Sequence, residues 1–306
     1  MKLRIGSTTI TSIVEQDLTF LAEVVPNARP SDLAGLPWLK PHFVDADNGM
    51  LGLVQSFVIE HGGARIVVDT CVGNGKENLS IPAWAHMNSD FLQRFSDAGF
   101  QPASVDYVVC THMHMDHVGW NTYLHEGRWK PTFPNARHVF VNDELRYWTT
   151  EIAKPLSGQS GLIGESDEYK TPFQQTQAAI YDQSVKPILD AGLALFVHSS
   201  YTLMPGVKLV ATPGHTPAHV SVEIDADGQK AFISGDSFHH PCQIAHPEWA
   251  ADPDTDQDAS TQTRRNILAE LADSATYFIG THFAEPVAGK IVTDGQSYRF
   301  DAVVTR

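Results

Sequence analysis

The run Thr111-His112-Met113-His114-Met115-Asp116-His117 places four strong metal-ligand side chains within six residues. It directly follows the apolar segment Tyr107-Val108-Val109-Cys110, so these side chains belong in a turn at the end of a strand. If the strand continues, alternation puts His112 and His114 on one side. Asp116 and His117 then turn back and can serve a second ion. Imidazole and carboxylate donors without thiolate suit Zn²⁺, and also Mn²⁺ or Fe²⁺. A lone histidine is usually an ordinary surface or core residue, but four ligands at this spacing reverse that expectation.

Short β-rich runs recur along the chain, bounded by Gly, Pro, Asp or Asn: Leu3–Glu15, Leu53–Glu60, Arg65–Asp69, Tyr107–Thr111, His138–Asn142, Ala194–His198, Lys208–Thr212, Val220–Ile224, Lys230–Ser234 and Tyr277–Gly280. Ala226-Asp227-Gly228 is a hairpin signal. Helical patterns lie between the strands at Ser89–Ala98, Leu145–Ile152, Gln174–Ala191 and Ser260–Ala272, the last with Ile267, Leu268 and Leu271 as its buried stripe. Two strand-rich halves with helices predict sheets packed on each other with helices outside. No repeat or Gly/Ser linker divides the chain, so one domain over 1–306 is expected. Three irregular segments are expected to act as lids or binding or interface loops: 17–50 as an N-terminal arm, 154–172 and 238–258.

With 42% hydrophobic residues among 306, a sizeable core is available. Thirty-six Asp and Glu against 21 Lys and Arg give a formal charge of −15, which argues against nucleic acid or an anionic membrane surface as partner. Three cysteines cannot build a disulfide framework and fit a reducing compartment. Neither a signal-peptide pattern nor an apolar run long enough to span a bilayer is present, so a cytoplasmic location is expected. The Pro-rich N-terminal arm has the reach to touch a second copy, which would make a homodimer.

The motif resembles the His-x-His-x-Asp-His signature of the metallo-β-lactamase superfamily. Further pieces follow in the family's order, each after an apolar run. Thr212-Pro213-Gly214-His215-Thr216-Pro217-Ala218-His219 resembles the Pro-Gly-His-Thr-x-Gly-His segment, Ser234-Gly235-Asp236 the Gly-Asp segment, and Gly280-Thr281-His282 the terminal metal histidine. Asp69-Thr70 resembles the family's Asp-Thr-Gly, with Cys71 where the glycine is expected. The likeness runs from about Val54 to His282. It implies an α/β fold, an αββα sandwich of two mixed β-sheets with helices on the outer faces. It also implies that His112, His114 and His215 hold one divalent ion, that Asp116, His117 and His282 hold a second, and that Asp236 bridges them. A hydroxide between two ions, most simply Zn²⁺, is then the nucleophile, and Asp116 orients it. Asp69 would orient a ligating histidine. For His219 an orienting or core role outweighs ligation.

The ligand set also separates branches of the superfamily. A flavo-diiron reductase has glutamate where His114 stands, and the main zinc β-lactamases have cysteine or serine where Asp236 stands. Nucleases of the family need basic surfaces, and glyoxalase II-like enzymes carry basic residues near the C-terminus, for which only Lys290 and Arg299 are candidates. The N-terminal extension, Val118-Gly119-Trp120 and the Gly295–Phe300 ending instead resemble the group of N-acyl-homoserine lactonases and methyl-parathion-type hydrolases. The resemblance therefore implies hydrolysis of a small neutral lactone or related ester. An organophosphate triesterase or aryl esterase is the enzymatic alternative, and a non-catalytic binding protein the other. His239 stands where such lactonases carry a tyrosine, and becomes a candidate catalytic residue for stabilising the carbonyl oxygen or protonating the leaving alkoxide. Trp38, Phe43, Trp120, Phe238 and Trp249 are expected as a group to favour an apolar pocket wall.

Overall fold

The structure is a computed structural model, and it describes residues 1–153 and 172–303. Among these residues two seven-stranded sheets form, both mixed. The first runs in the order β1 (Lys2–Ile5), β2 (Thr8–Asp17), β3 (Leu53–His61), β4 (Ala64–Val68), β5 (Tyr107–Val109), β8 (Arg137–Val141) and β9 (Ala194–Val197), with parallel pairing from β4 onward. A two-stranded ribbon, β6 (Thr122–His125) and β7 (Arg128–Pro131), stands apart. The second sheet orders β10 (Thr202–Met204), β11 (Val207–Ala211), β12 (Val220–Ala226), β13 (Gln229–Ile233), β14 (Tyr277–Ile279), β15 (Ala288–Asp294) and β16 (Ser297–Ala302), with only β13 and β14 parallel.

Alternation along the strands builds three apolar layers. In β4, Ile66 and Val68 face the second sheet with Phe57 and Ile59, and meet Val222, Ile224 and Ile233. Val67 points the other way, into a layer with Phe91 and Phe95 of the helix Phe91–Asp97 and with Ile188. On the outer face of the second sheet, Phe232, Phe278 and Phe300 pack against Ile267, Leu268 and Leu271 of the helix Gln257–Leu271. The expected αββα sandwich is therefore present, and the buried stripe of the last helix is the one its periodicity predicts.

The Asp227–Gly228 turn joins β12 to β13 with both residues at positive φ, as a two-residue hairpin requires. Five strands were not expected. The ribbon β6–β7 and β10 are short and half-exposed, and β15–β16 alternate around polar residues. The helix expected over Gln174–Ala191 is interrupted. It runs as Pro172–Ile180, a wide turn over Tyr181–Val185, then Lys186–Asp190. Pro187 has no N–H to bond the Gln183 carbonyl. That oxygen instead accepts from Thr122 Oγ1, and from Lys76 Nζ at 3.5 Å.

The segment 17–50 is not one irregular arm. It folds into short helical turns at Leu21–Val24, Pro30–Leu33 and Pro37–Leu39, and buries Val25, Leu33, Leu39 and Phe43 on the second sheet's outer layer. His240 fastens it: Nε2 donates to the Phe43 carbonyl at 2.8 Å and Nδ1 accepts from the Cys242 N–H. Of the segment 154–172, all but Pro172 lies outside the described residues. Among the described residues no helix is long and apolar enough to cross a membrane.

Candidate metal centre

β5 ends at Val109, earlier than the sequence suggests, so strand alternation does not place the two leading histidines. His112 and His114 lie in a turn, and Met115–Val118 forms a single helical turn carrying Asp116 and His117. The loops after β11 and β13 bring His215 and Asp236, and the loop after β14 brings His282. All of them gather at one edge of the sandwich.

Two groups result. His112, His114, His215 and Asp236 present one donor atom each, all within 4.8 Å of one another, and Asp116, His117 and His282 do the same. In the first group, His114 Nδ1 lies 3.0 Å from His112 Nε2 and 2.9 Å from His215 Nε2, and those two Nε2 atoms are 3.2 Å apart. Asp236 stands between the groups. Its Oδ2 is 3.4 Å from His215 Nε2 and 3.3 Å from His117 Nε2, and its Oδ1 is 3.2 Å from His282 Nε2. Asp116 lies 3.6 Å from His117 Nε2 through Oδ1 and 3.5 Å from His282 Nε2 through Oδ2.

The donor set fits divalent cations. Burial first, and neighbouring imidazoles next, push His112 and His114 well below the ordinary histidine range, so both rings are neutral. Ring nitrogens that turn lone pairs to one point cannot satisfy one another. His117 Nε2 and Asp236 Oδ1 are buried without a hydrogen-bond partner in the protein, although each lies close to an opposite group. Their short distances without hydrogen-bond geometry mean that they aim at a common point rather than at each other. At His117 burial works downward, but Asp236, Asp116 and Asp69 override it and raise the ring well above its ordinary range. Those carboxylates would favour a cation of any kind there, and ligation would displace the proton.

The outer nitrogens of the rings are anchored. Nδ1 of His117 bonds Asp69 Oδ2 at 2.9 Å, that of His215 bonds Asp254 Oδ1 at 3.0 Å, that of His282 bonds the Leu53 carbonyl at 2.9 Å, and that of His112 meets Thr111 Oγ1 at 3.1 Å. This network assigns the proton to Nδ1 and leaves Nε2 to the centre. His114 is reversed, turning Nδ1 inward with its ring against Trp148. Asp69 also accepts from the Thr111 N–H and hydroxyl, which locks the start of the motif. His219 uses both nitrogens elsewhere: one meets Thr212 Oγ1 at 2.8 Å and the other accepts the Asp236 N–H at 2.9 Å. It therefore orients Asp236. Gly235 makes room for that contact, since a Cβ there would sit 2.5 Å from His219 Nε2. Cys71, where the family's glycine is expected, takes the left-handed conformation at φ 50° that glycine adopts freely.

His239 is buried, with Nε2 3.3 Å from Asp236 Oδ2 and its ring stacked parallel to His282 at 5.9 Å. It reaches the floor of a cavity of about 330 Å³ that opens over both groups. The walls correct the expectation for the aromatic residues. Phe20, Val24, Ile81, Trp84, Met115 and Phe173 line the cavity, whereas Trp38, Phe43, Trp120, Phe238 and Trp249 do not. Phe43 and Phe238 belong to the layer outside the second sheet, and Trp249 stacks on His246. Trp120 is turned into the core, where its Nε1 donates to Glu15 at 2.6 Å. Lys290 and Arg299 are absent from the lining, as are all other cationic Lys and Arg among the described residues.

Three buried carboxylates escape sequence reasoning. Glu15 gathers the Val72 and Gly73 N–H groups, Trp120 and Ser89, fixing the loop that follows Asp69. Glu144 accepts from Trp148, Thr216 and the Ala218 N–H, tying a helix start to the His215 loop. Asp254 holds His215. In sequence, Glu144 reads as a helix-dipole acid in Asn142-Asp143-Glu144, and Asp254 as one of several acids in a surface run.

The metallo-beta-lactamase superfamily profile matches residues 49–282. The N-acyl homoserine lactonase AttM of Rhizobium radiobacter is 28% identical over 193 residues, covering 59% of this chain and 62% of that protein. A probable metallo-hydrolase of Mycobacterium tuberculosis is 26% identical over 241 residues, 72% of this chain and 68% of its own. The chain thus spans about three fifths of the length of the curated lactonase it matches. In structure it is similar to hydrolase AbOPH of the beta lactamase superfamily, with a TM-score of 0.77 at 23% identity over 100% of this chain and 97% of that one. It is also similar to AidC, a dizinc quorum-quenching lactonase in complex with a homoserine product, with a TM-score of 0.75 at 20% identity over 100% and 98%. Matched over most of its length, with the motifs in order and the two donor groups side by side, the chain belongs to the metallo-β-lactamase superfamily.

Proposed function

We propose that this protein is a dinuclear metal-dependent hydrolase that opens a neutral lactone, of the N-acyl-homoserine-lactone kind, or a related ester. The observation that carries this reading is the pair of donor groups joined by Asp236 beneath a cavity with an apolar wall and, among the described residues, no cationic side chain. His112, His114, His215 and Asp236 would hold one ion, and Asp116, His117, His282 and the other oxygen of Asp236 the second. Two divalent ions there would supply water acidified to near neutral pH and polarise the ester carbonyl. Asp116, which reaches the cavity, accepts the proton of the attacking water. His239, beside Asp236 on the cavity floor, donates a hydrogen bond to the oxygen that gains charge or protonates the leaving alkoxide, and in the second case the proton held by Asp116 restores the ring. The apolar wall excludes water and takes the acyl chain. Glu23 and Asp252 at the lining would repel anionic substrates, which disfavours a glutathione thioester.

An acyl-homoserine lactone, an aryl acetate and a phosphotriester, compared by kcat/KM on protein reconstituted with Zn²⁺ or Mn²⁺, test this reading. The lactone is expected to lead and Asp236→Ala to abolish turnover. Dominance of the triester would replace the lactonase reading by the organophosphatase one, and no turnover of any of the three would favour a binding role. An unchanged kcat/KM in His239→Phe would remove His239 from the mechanism.

A further inference from the structure

Asp254 and Arg264 lie in neither sequence motif, yet the structure builds them into the first donor group. Arg264 is fully buried in the helix Gln257–Leu271. Its guanidinium donates to the Pro247 carbonyl at 2.7 Å and to Ser260 Oγ at 2.7 Å, and reaches the Ser237 carbonyl and Asp254 Oδ2 at 3.4 Å each. Asp254 Oδ2 also accepts the Ala251 N–H at 3.0 Å, while Oδ1 takes the His215 ring at 3.0 Å. The same turn grips the histidine's backbone: the Thr255 N–H donates to the His215 carbonyl at 2.9 Å and the Asp256 N–H to that of Gly214 at 3.0 Å. A buried arginine is retained only where its donors are met, and here one guanidinium spans the loop after β13 and the loop before its own helix. Asp252 and Pro253, on the cavity lining, belong to this turn.

We infer that Asp254, clamped by Arg264, is a positioning residue that aims His215 at the centre and so sets the ion affinity of the first donor group independently of the second. Asp69 performs that service for His117 in the second group. The two groups thus each have one carboxylate-backed histidine, supplied by different parts of the chain. Orienting carboxylates of this kind change ion affinity by about 10–100-fold. The inference rests on the dinuclear reading proposed above.

The test is Zn²⁺ titration of the full chain against a chromophoric chelator, fitted for two ion affinities, with far-UV circular dichroism as the check on folding. Wild type is expected to bind two ions. Asp254→Asn should weaken one of them by about 10–100-fold and leave the other nearly unchanged. Asp69→Asn should weaken the opposite one. In a His215→Ala background Asp254→Asn should cost nothing further, because the carboxylate acts through that ring. Arg264→Lys keeps the charge but loses the fork, and should give a smaller loss at the same ion as Asp254→Asn. Folded Asp254→Asn with both wild-type affinities, or losses that add in the double variant, overturns the inference. Should Asp254→Asn not fold, Arg264→Lys with unchanged affinities overturns it. Wild type binding fewer than two ions refutes the dinuclear reading as well, whereas two ions insensitive to Asp254 refute this inference alone.

Discussion

His138 sits in β8, between β5 and the edge strand β9 of the first sheet, with no exposed surface, and neither ring nitrogen makes a hydrogen bond of good geometry. Burial pushes it down to about 4, although the nearby Ala136 carbonyl opposes the shift. The folded protein therefore holds this ring neutral, while the unfolded chain takes up a proton near the ordinary 6.5. Below pH 6.5 the unfolded state binds more protons than the folded one, so stability falls with pH until the folded ring also protonates near 4. At roughly 1.36 kcal/mol per pH unit, the whole window is worth about 3 kcal/mol, of which about 2 kcal/mol is lost between pH 7 and pH 5. His138→Leu removes the titration and keeps an apolar side chain of similar volume. Urea unfolding of both proteins at pH 7, 6 and 5, with chelator present throughout, isolates the residue, because titrations shared by the two proteins cancel in the difference. The variant should gain on wild type by about 2 kcal/mol as the pH falls from 7 to 5. Two stability profiles that stay parallel within about 0.5 kcal/mol would refute the reasoning, since a ring that titrates equally in both states contributes no slope.

Glu144→Ala would leave Trp148 Nε1, Thr216 Oγ1 and the Ala218 N–H without a buried acceptor, and should cost about 3 kcal/mol in urea unfolding; a loss below about 1 kcal/mol would mean that water replaces the carboxylate there. Added Zn²⁺ or Mn²⁺ should raise the melting temperature of chelator-treated protein. Each ion adds about 2.7 kcal/mol at a free concentration one hundred times its Kd, and the absence of any shift would show that the two donor groups hold no ion.

Much of the fold is legible in the sequence because its signals are local. The runs at Arg65–Asp69 and Val220–Ile224 are short, β-branched and bounded by breakers, and each became a strand. The stripe Ile267, Leu268 and Leu271 needs only helical periodicity. Asp227–Gly228 needs only the positive φ that its turn demands. The strands that escaped notice depend on partners: β10 pairs with β11 through an irregular register, and β16 gains its place from β15. The break in the helix before Pro187 was equally hidden, since its cause is a proline but its shape is held by Thr122 and Lys76 from other parts of the chain.

The sequence by itself determined the chemistry available to this protein. It supplied five histidines and two aspartates of the right type, in segments that each follow an apolar run, and its 36 acidic against 21 basic residues set a charge balance that disfavours an anionic partner. Only the tertiary structure decided how those side chains are used. Asp236 faces both donor groups because the loop after β13 converges with those after β5, β11 and β14. His219 became an orienting residue because both its nitrogens are engaged. The cavity wall comes from Phe20, Trp84 and Phe173 rather than from the aromatics near the motifs, because those pack into the layers that hold the sheets together. Glu144 and Asp254 drew no notice as acids in polar runs and became supports of the centre once folding buried them. Burial and direction are the physical reason: a side chain's type is written in the sequence, but its dielectric surroundings and the atom it faces exist only after distant segments have packed.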